Sequence, residues 1–419
     1  MGLSRRRQRQ QRGSSTPSKL LFGFLGLMLS STITPVVNAE LLDSPAPENF
    51  LRRVQARGKP CSSPFLPFSP LPPSPPLTSL PLRAATVVGT HVYIDGGELS
   101  QLDALPPHSP PPSNHVSNGN NATLSIDLSS SWSASSVQIK VASAPNLKGP
   151  RPYALNHECI WPSPDGDGFY VYGGGASYGI NSSKIEKSGI WKFVVDDNGS
   201  SGKGEWELEM PAPTSPSPPR TLRLTEQAGC AAATTTTTEG LGFSVGGVAS
   251  AWTDPSDAST DHVTGMVVYD MKRKEWRNET SVGIVAASGS GSLRGGVGVF
   301  VPSFGNAATV SGEGEREGEE KKKEKKENNG LVFMLGGSVF AVPATTTTNQ
   351  PDFVIGFENV TFFDPMTREW YWQLTTGPAP SARERFCAVG AEGKNGTYEM
   401  CVCPRELICL LSNPGLFIS

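Results

Sequence analysis

Four times along the chain, a short apolar and aromatic run ends in a pair of glycines: His91–Gly97, Phe169–Gly174, Leu241–Gly247 and Leu331–Gly337. Runs of four or five residues rich in Val, Ile, Phe and Tyr and stopped by Gly-Gly predict strands, because they are too short for helices. A second apolar strand follows each one, at Leu124–Leu128, Ile190–Val195, Met266–Asp270 and Thr361–Asp364, and then a single tryptophan, Trp132, Trp206, Trp276 or Trp370. The second glycine and the tryptophan lie 35, 32, 29 and 33 residues apart, whereas the gaps from each Trp to the next pair are 41, 40 and 60. A near-constant spacing with insertions confined to one interval is the mark of a repeat in which each unit is one small sheet.

The residue types suit a ring of such sheets. Gly96 and Gly97, Gly173 and Gly174, Gly246 and Gly247, and Gly336 and Gly337 let the backbone turn with positive φ and approach a neighbouring unit without a Cβ clash. An indole fills the wedge between adjacent sheets, with its N–H available to a carbonyl. Asp127, Asp270 and Asp364 precede their Trp by five or six residues, where a carboxylate accepts backbone N–H bonds in a hairpin turn. These residues are read as scaffold. The pattern resembles the kelch repeat, whose units each form one four-stranded propeller blade, and the resemblance spans residues 84–400. It implies an all-β, kelch-type β-propeller with four recognisable blades and part of a fifth. That fifth unit opens at Arg383-Glu384-Arg385-Phe386-Cys387 and runs to Met400, after which residues 401–419 contain neither a glycine pair nor a Trp. Kelch propellers usually close with six or seven blades, so an incomplete ring is expected to be weakly stable or to self-associate through its unclosed edges.

Composition agrees and narrows the class. Gly 45 and Pro 37 are abundant and charged residues reach 18%, which disfavours a helical bundle. Residues 1–39 carry six basic residues, an apolar run from Leu20 to Leu29 and the small-residue end Val37-Asn38-Ala39, the pattern of a cleaved signal peptide. A retained membrane anchor is the alternative, but polar residues interrupt the run before it reaches the roughly 20 residues a span requires. Cleavage would shift the net charge from −3 to −9, because those six bases leave with no acid. Nucleic acid is therefore excluded as the expected partner. Asn121, Asn181, Asn198, Asn278, Asn359 and Asn395 stand in N-x-S/T sequons, which predict glycosylation on a secretory route. Residues 40–83 read as a Pro/Ser-rich linker or insertion, and 311–329 as a charged low-complexity loop.

Seven cysteines fit no simple framework. Cys159, Cys230 and Cys387 occupy what looks like one equivalent place in three units. Face-to-face sheets are separated by about 10 Å, beyond disulfide reach, so all three are expected to be small buried apolar residues. The others, Cys61, Cys401, Cys403 and Cys409, lie off the repeat.

Enzyme chemistry leaves little trace. Some secreted propellers with kelch units, the galactose oxidase group, are copper-radical oxidases that need two histidines and two tyrosines, one cross-linked to a cysteine. Here His91, His108, His115, His157 and His262 show no ligand-like pairing, so no metal, cofactor or catalytic residue is assigned. The chain is similar to surface and cell-wall-associated kelch proteins of filamentous fungi. That resemblance implies a secreted or cell-surface module that binds a protein or cell-wall glycan at one rim, including the loops after Gly97, Gly174, Gly247 and Gly337. A copper-dependent, carbohydrate-active oxidase is the competing expectation.

Overall fold

The computed structural model describes residues 54–57, 84–102, 115–132, 136–143, 152–187, 189–212, 224–234, 240–257, 259–279, 292–302, 304, 330–339, 353–393, 397–403 and 415–418. The chain divides into Met1–Glu40 and Leu41–Ser419. Residues 1–39, read above as a signal peptide, residues 58–83, residues 311–329 and Asn395 lie outside the described residues.

Four blades of a propeller follow one another, each an antiparallel sheet whose strands are ordered as in the sequence. Blade 1 comprises Ala84–Val88, His91–Asp95, Thr123–Asp127 and Ile139–Ser143. Blade 2 comprises Cys159–Pro162, Gly168–Tyr172, Ile190–Val195 and Gly204–Glu209. Blade 3 runs through Gly229–Ala233, Leu241–Val245, Met266–Asp270 and Glu275–Glu279. Blade 4 has Val297–Val301, Leu331–Leu335, Asn359–Asp364 and Glu369–Leu374. The first strands of successive blades adjoin one another, so they form the inner wall of the ring, and the strand ending in the glycine doublet is the second of its blade. Blades 2, 3 and 4 each pack on a neighbour at both faces. The second strands of blades 2, 3 and 4 are accordingly buried at every position, instead of alternating as a half-solvated strand would. Apolar clusters fill each interface from blade 1/2 onwards.

The doublets act as fasteners between blades. The second glycine of each donates its N–H to a carbonyl just ahead of the next inner strand: Gly97 to Leu155 (2.7 Å), Gly174 to Thr225 (2.9 Å), Gly247 to Leu293 (2.7 Å) and Gly337 to Arg383 (2.8 Å). At Gly246, φ is +65° and an added Cβ would lie 2.4 Å from the Leu293 nitrogen, so a side chain there would force the two blades apart.

Three of the four tryptophans seat a blade on the one before it. Trp206, Trp276 and Trp370 stand opposite Phe193, Tyr269 and Phe363. Trp206 Nε1 donates to Thr123 Oγ1 of blade 1 at 3.0 Å, and the Trp276 ring lies 4.8 Å from Tyr172 of blade 2. Trp132 is a correction: it sits in the hairpin after Asp127, 37% exposed, bonded to Asp127 O at 3.1 Å. Ile139, opposite Ile126, holds the position of the indole. The hairpin of blade 1 is longer than those of blades 3 and 4, so a similar spacing from the glycines brings Trp132 to the loop. Asp270 and Asp364 accept backbone N–H bonds from Arg273 (2.9 Å) and Met366 (2.8 Å) in their turns. Lys274 and Arg368, both left-handed, reach back from these turns to Glu209 (2.9 Å) and Glu279 (2.8 Å) on the preceding blade's outer strand.

A fifth four-stranded sheet joins both ends of the chain: Cys387–Glu392, Tyr398–Cys403, Gly415–Ile418 and, outermost, Val54–Arg57. Two segments read from sequence as linker and off-pattern tail therefore each supply a strand, pairing Val54 with Ile418 and Arg57 with Gly415. Four-residue strands without a glycine doublet carry no repeat signal, so this partnership was invisible one-dimensionally.

The cysteine expectation is also corrected: Cys159 and Cys230 form a disulfide, with Cα atoms 5.4 Å apart, and Cys387 is exposed. The register gives the reason. Cys159 pairs with Tyr172, the residue just before its glycine doublet, whereas Cys230 pairs with Ser244, one residue farther from its own. A shift of one residue turns a side chain to the opposite face of a sheet. Cys159 and Cys230 thus face each other across the blade 2/3 interface, where inner strands converge more closely than packed sheets elsewhere.

Candidate functional site

Where each inner strand begins, the chain passes through one residue in the left-handed region: His157, Gln227, Gly295 and Arg385. These turns are joined by backbone hydrogen bonds in series. Gln227 N donates to His157 O (3.3 Å), Gly295 N to Gln227 O (2.8 Å) and Arg385 N to Gly295 O (2.7 Å). The result is a belt across four successive sheets at one end of the inner wall, with the Cys159–Cys230 bond two and three residues beyond two of its turns. Antiparallel pairing places the ends of the second strands at this same rim, so the loops after the doublets surround the belt.

Polar side chains gather on this belt. His157 Nδ1 lies 3.7 Å from Glu226 Oε2. Arg385 donates to Gln227 Oε1 at 3.0 Å across two blades. Glu384 accepts from Ser338 Oγ at 2.7 Å and faces Arg294 at 3.5 Å. Towards blade 1, Asn156 Nδ2 donates to Glu98 Oε1 at 2.7 Å, and Ser177 Oγ donates to Asn156 at 3.1 Å. Burial pushes the Glu384 carboxyl up, but the Ser338 hydroxyl and the Arg294 and Arg385 guanidiniums outweigh it and hold the group below the usual carboxylate range. A carboxyl lowered on folding stabilises above its unfolded value, and that contribution is lost as pH falls through the folded value. Thermal melts from pH 7 to pH 3 are expected to show a smaller acid-induced fall for Glu384→Gln than for the wild type below about pH 4; superimposable profiles would contradict the pairing.

The rim also carries exposed aromatics, Tyr178 and Trp252, on loops tied together where Ala176 N donates to Trp252 O (2.8 Å). A partner meeting this surface finds hydrogen-bond donors and acceptors, charges of both signs and flat apolar rings on a rigid backbone belt, which suits recognition.

The described histidines do not converge. His91 is buried at the start of a second strand, the end of the blade opposite the belt, with Nδ1 2.9 Å from Gly199 O. His157 lies on the belt and His262 on the rim opposite Val248; His115 is in a rim strand, and His108 lies outside the described residues. Among the described residues, no group of three His, Cys, Asp or Glu side chains could hold a metal ion. Five sequon asparagines, Asn121, Asn181, Asn198, Asn278 and Asn359, are exposed. The belt residues escaped sequence reasoning, although charged residues directly ahead of an apolar inner strand, as in His157-Glu158-Cys159 and Arg383-Glu384-Arg385, were its available signal.

No protein-family model and no curated protein matches the chain. Among solved structures it is similar to one titled "Structure of YjhT", at 13% identity and a TM-score of 0.39, over 80% of this chain and 73% of that one.

Proposed function

We propose that this protein is a secreted or cell-surface propeller of the kelch type that binds a protein or glycan partner at the rim around its channel mouth. The belt carries this reading: it holds side chains from successive blades, far apart in sequence, in fixed register on one surface. Binding sites on propellers lie in such loops because the scaffold beneath them is rigid. The disulfide supports an oxidising compartment, and the five exposed sequons suit a glycosylated surface.

Arg385 is the residue on which this reading is tested. Its guanidinium is partly exposed and spans the belt, so Arg385→Ala removes a donor from the rim while leaving the backbone bond to Gly295. Protein and glycan arrays probed with the secreted chain should yield a ligand whose affinity falls by ten-fold or more in Arg385→Ala, an effect of about 1.4 kcal/mol. A ligand bound equally by both proteins would place recognition away from the mouth.

A further inference from the structure

We propose that the outer-facing sheet surface of blade 1 docks a second copy of this chain. Each blade shows one face to the blade before it, and in blade 2 that face is closed: Phe169, Phe193 and Trp206, in register across the sheet, are 0%, 0% and 8% exposed against blade 1. The corresponding row of blade 1 is Val87, Val92, Ile126 and Ile139, paired strand to strand. Beside it runs a second row, Ala85, Ile94, Leu124 and Val141, paired in the same way. Both rows are aliphatic throughout, yet Val87, Ile139 and Val141 are 54%, 49% and 52% exposed. The fifth sheet does not cover them, because Val389 on the sheet's face turned away from blade 4 is itself 60% exposed.

Contiguous apolar patches beyond a few hundred Å² are rare on monomers and mark interaction surfaces. This face offers on the order of 600 Å² per copy, the size at which an exposed apolar patch marks an interaction site. Two copies would bury about 1,200 Å², the lower bound of a stable interface. Neither row contains a charge; Lys140 pairs with Ser125 on the opposite face. A matching partner must therefore be aliphatic and uncharged over a four-stranded width, which this same face satisfies about a two-fold axis, with the sheets packed some 10 Å apart.

The test uses the full secreted chain. Light scattering and sedimentation velocity from 1 to 100 µM are expected to show a monomer–dimer equilibrium, and Ile139→Lys with Val141→Asp to weaken it at least ten-fold with the melting temperature retained. If that variant misfolds, Val141→Cys supplies the second reading, with a cross-linked dimer expected on mild oxidation beyond the wild-type background. A wild type that stays monomeric throughout, whether residues 58–83 or a different protein cover the face, overturns the proposal. So does a Val141→Cys protein that never cross-links, or a charged variant that dimerises as well as the wild type.

Discussion

Replacing Trp161 by Ala is expected to destabilise the propeller by about 5 kcal/mol, the upper end for a buried indole. Trp161 is 0% exposed on the inner strand of blade 2, stacked on Tyr172 with ring centroids 5.5 Å apart. Its Nε1 donates to Phe243 O of blade 3 at 3.2 Å. The six-membered ring lies where a side chain on Gly242 would project, within 2.3 Å of that Cβ position. Truncation therefore opens a cavity between two rigid sheets and orphans a carbonyl contact, and neither sheet can relax into the space without breaking the belt above it. Urea unfolding should register the loss, with a melting temperature lower by about 10 °C or more. A change below about 1 kcal/mol would mean that the blade 2/3 interface is not packed as described.

The second large effect is at the same interface. Converting Cys159 and Cys230 together to Ser is expected to cost about 4 kcal/mol, since the bond closes a 71-residue separation and constrains the unfolded chain accordingly. The paired replacement avoids leaving a single reactive thiol. Wild-type protein should melt about 10 °C lower with reductant than without, while the double variant should melt alike in both. Equal wild-type curves would show that the bond is absent in solution. Because Cys159 and Trp161 point from one strand into one interface, combining all three changes should cost less than the sum of the separate losses.

Both effects concern residues that a linear reading misplaced or passed over, and the reasons are specific. Repeat spacing identified the strands that end in glycine doublets, the doublets themselves and the hairpin aspartates, because each is fixed by chain-local geometry: Gly246 needs positive φ, and Asp270 caps a turn three residues away. It assigned Trp132 wrongly because a lengthened hairpin keeps the count while moving the residue off the strand. Trp161 went unnoticed because inner strands, short and bounded by variable turns, repeat less regularly than the strands that follow them. The belt is less legible still: Gln227 and Arg385 are 158 residues apart, and only the stacking of successive inner strands brings them within a hydrogen bond.

From its sequence alone, this protein is an all-β chain of sheet-sized units, each unit's apolar period and glycine doublet requiring neighbours on both sides. Folding in three dimensions settled which faces found those neighbours. A one-residue difference in register turned Cys230 towards Cys159, the chain's two ends met in a fifth sheet, and blade 1 kept an aliphatic face open. Spacing along a chain records local turns and strand lengths, whereas facing direction alternates with every residue and blade separation shrinks towards the axis; neither quantity is carried by the spacing itself.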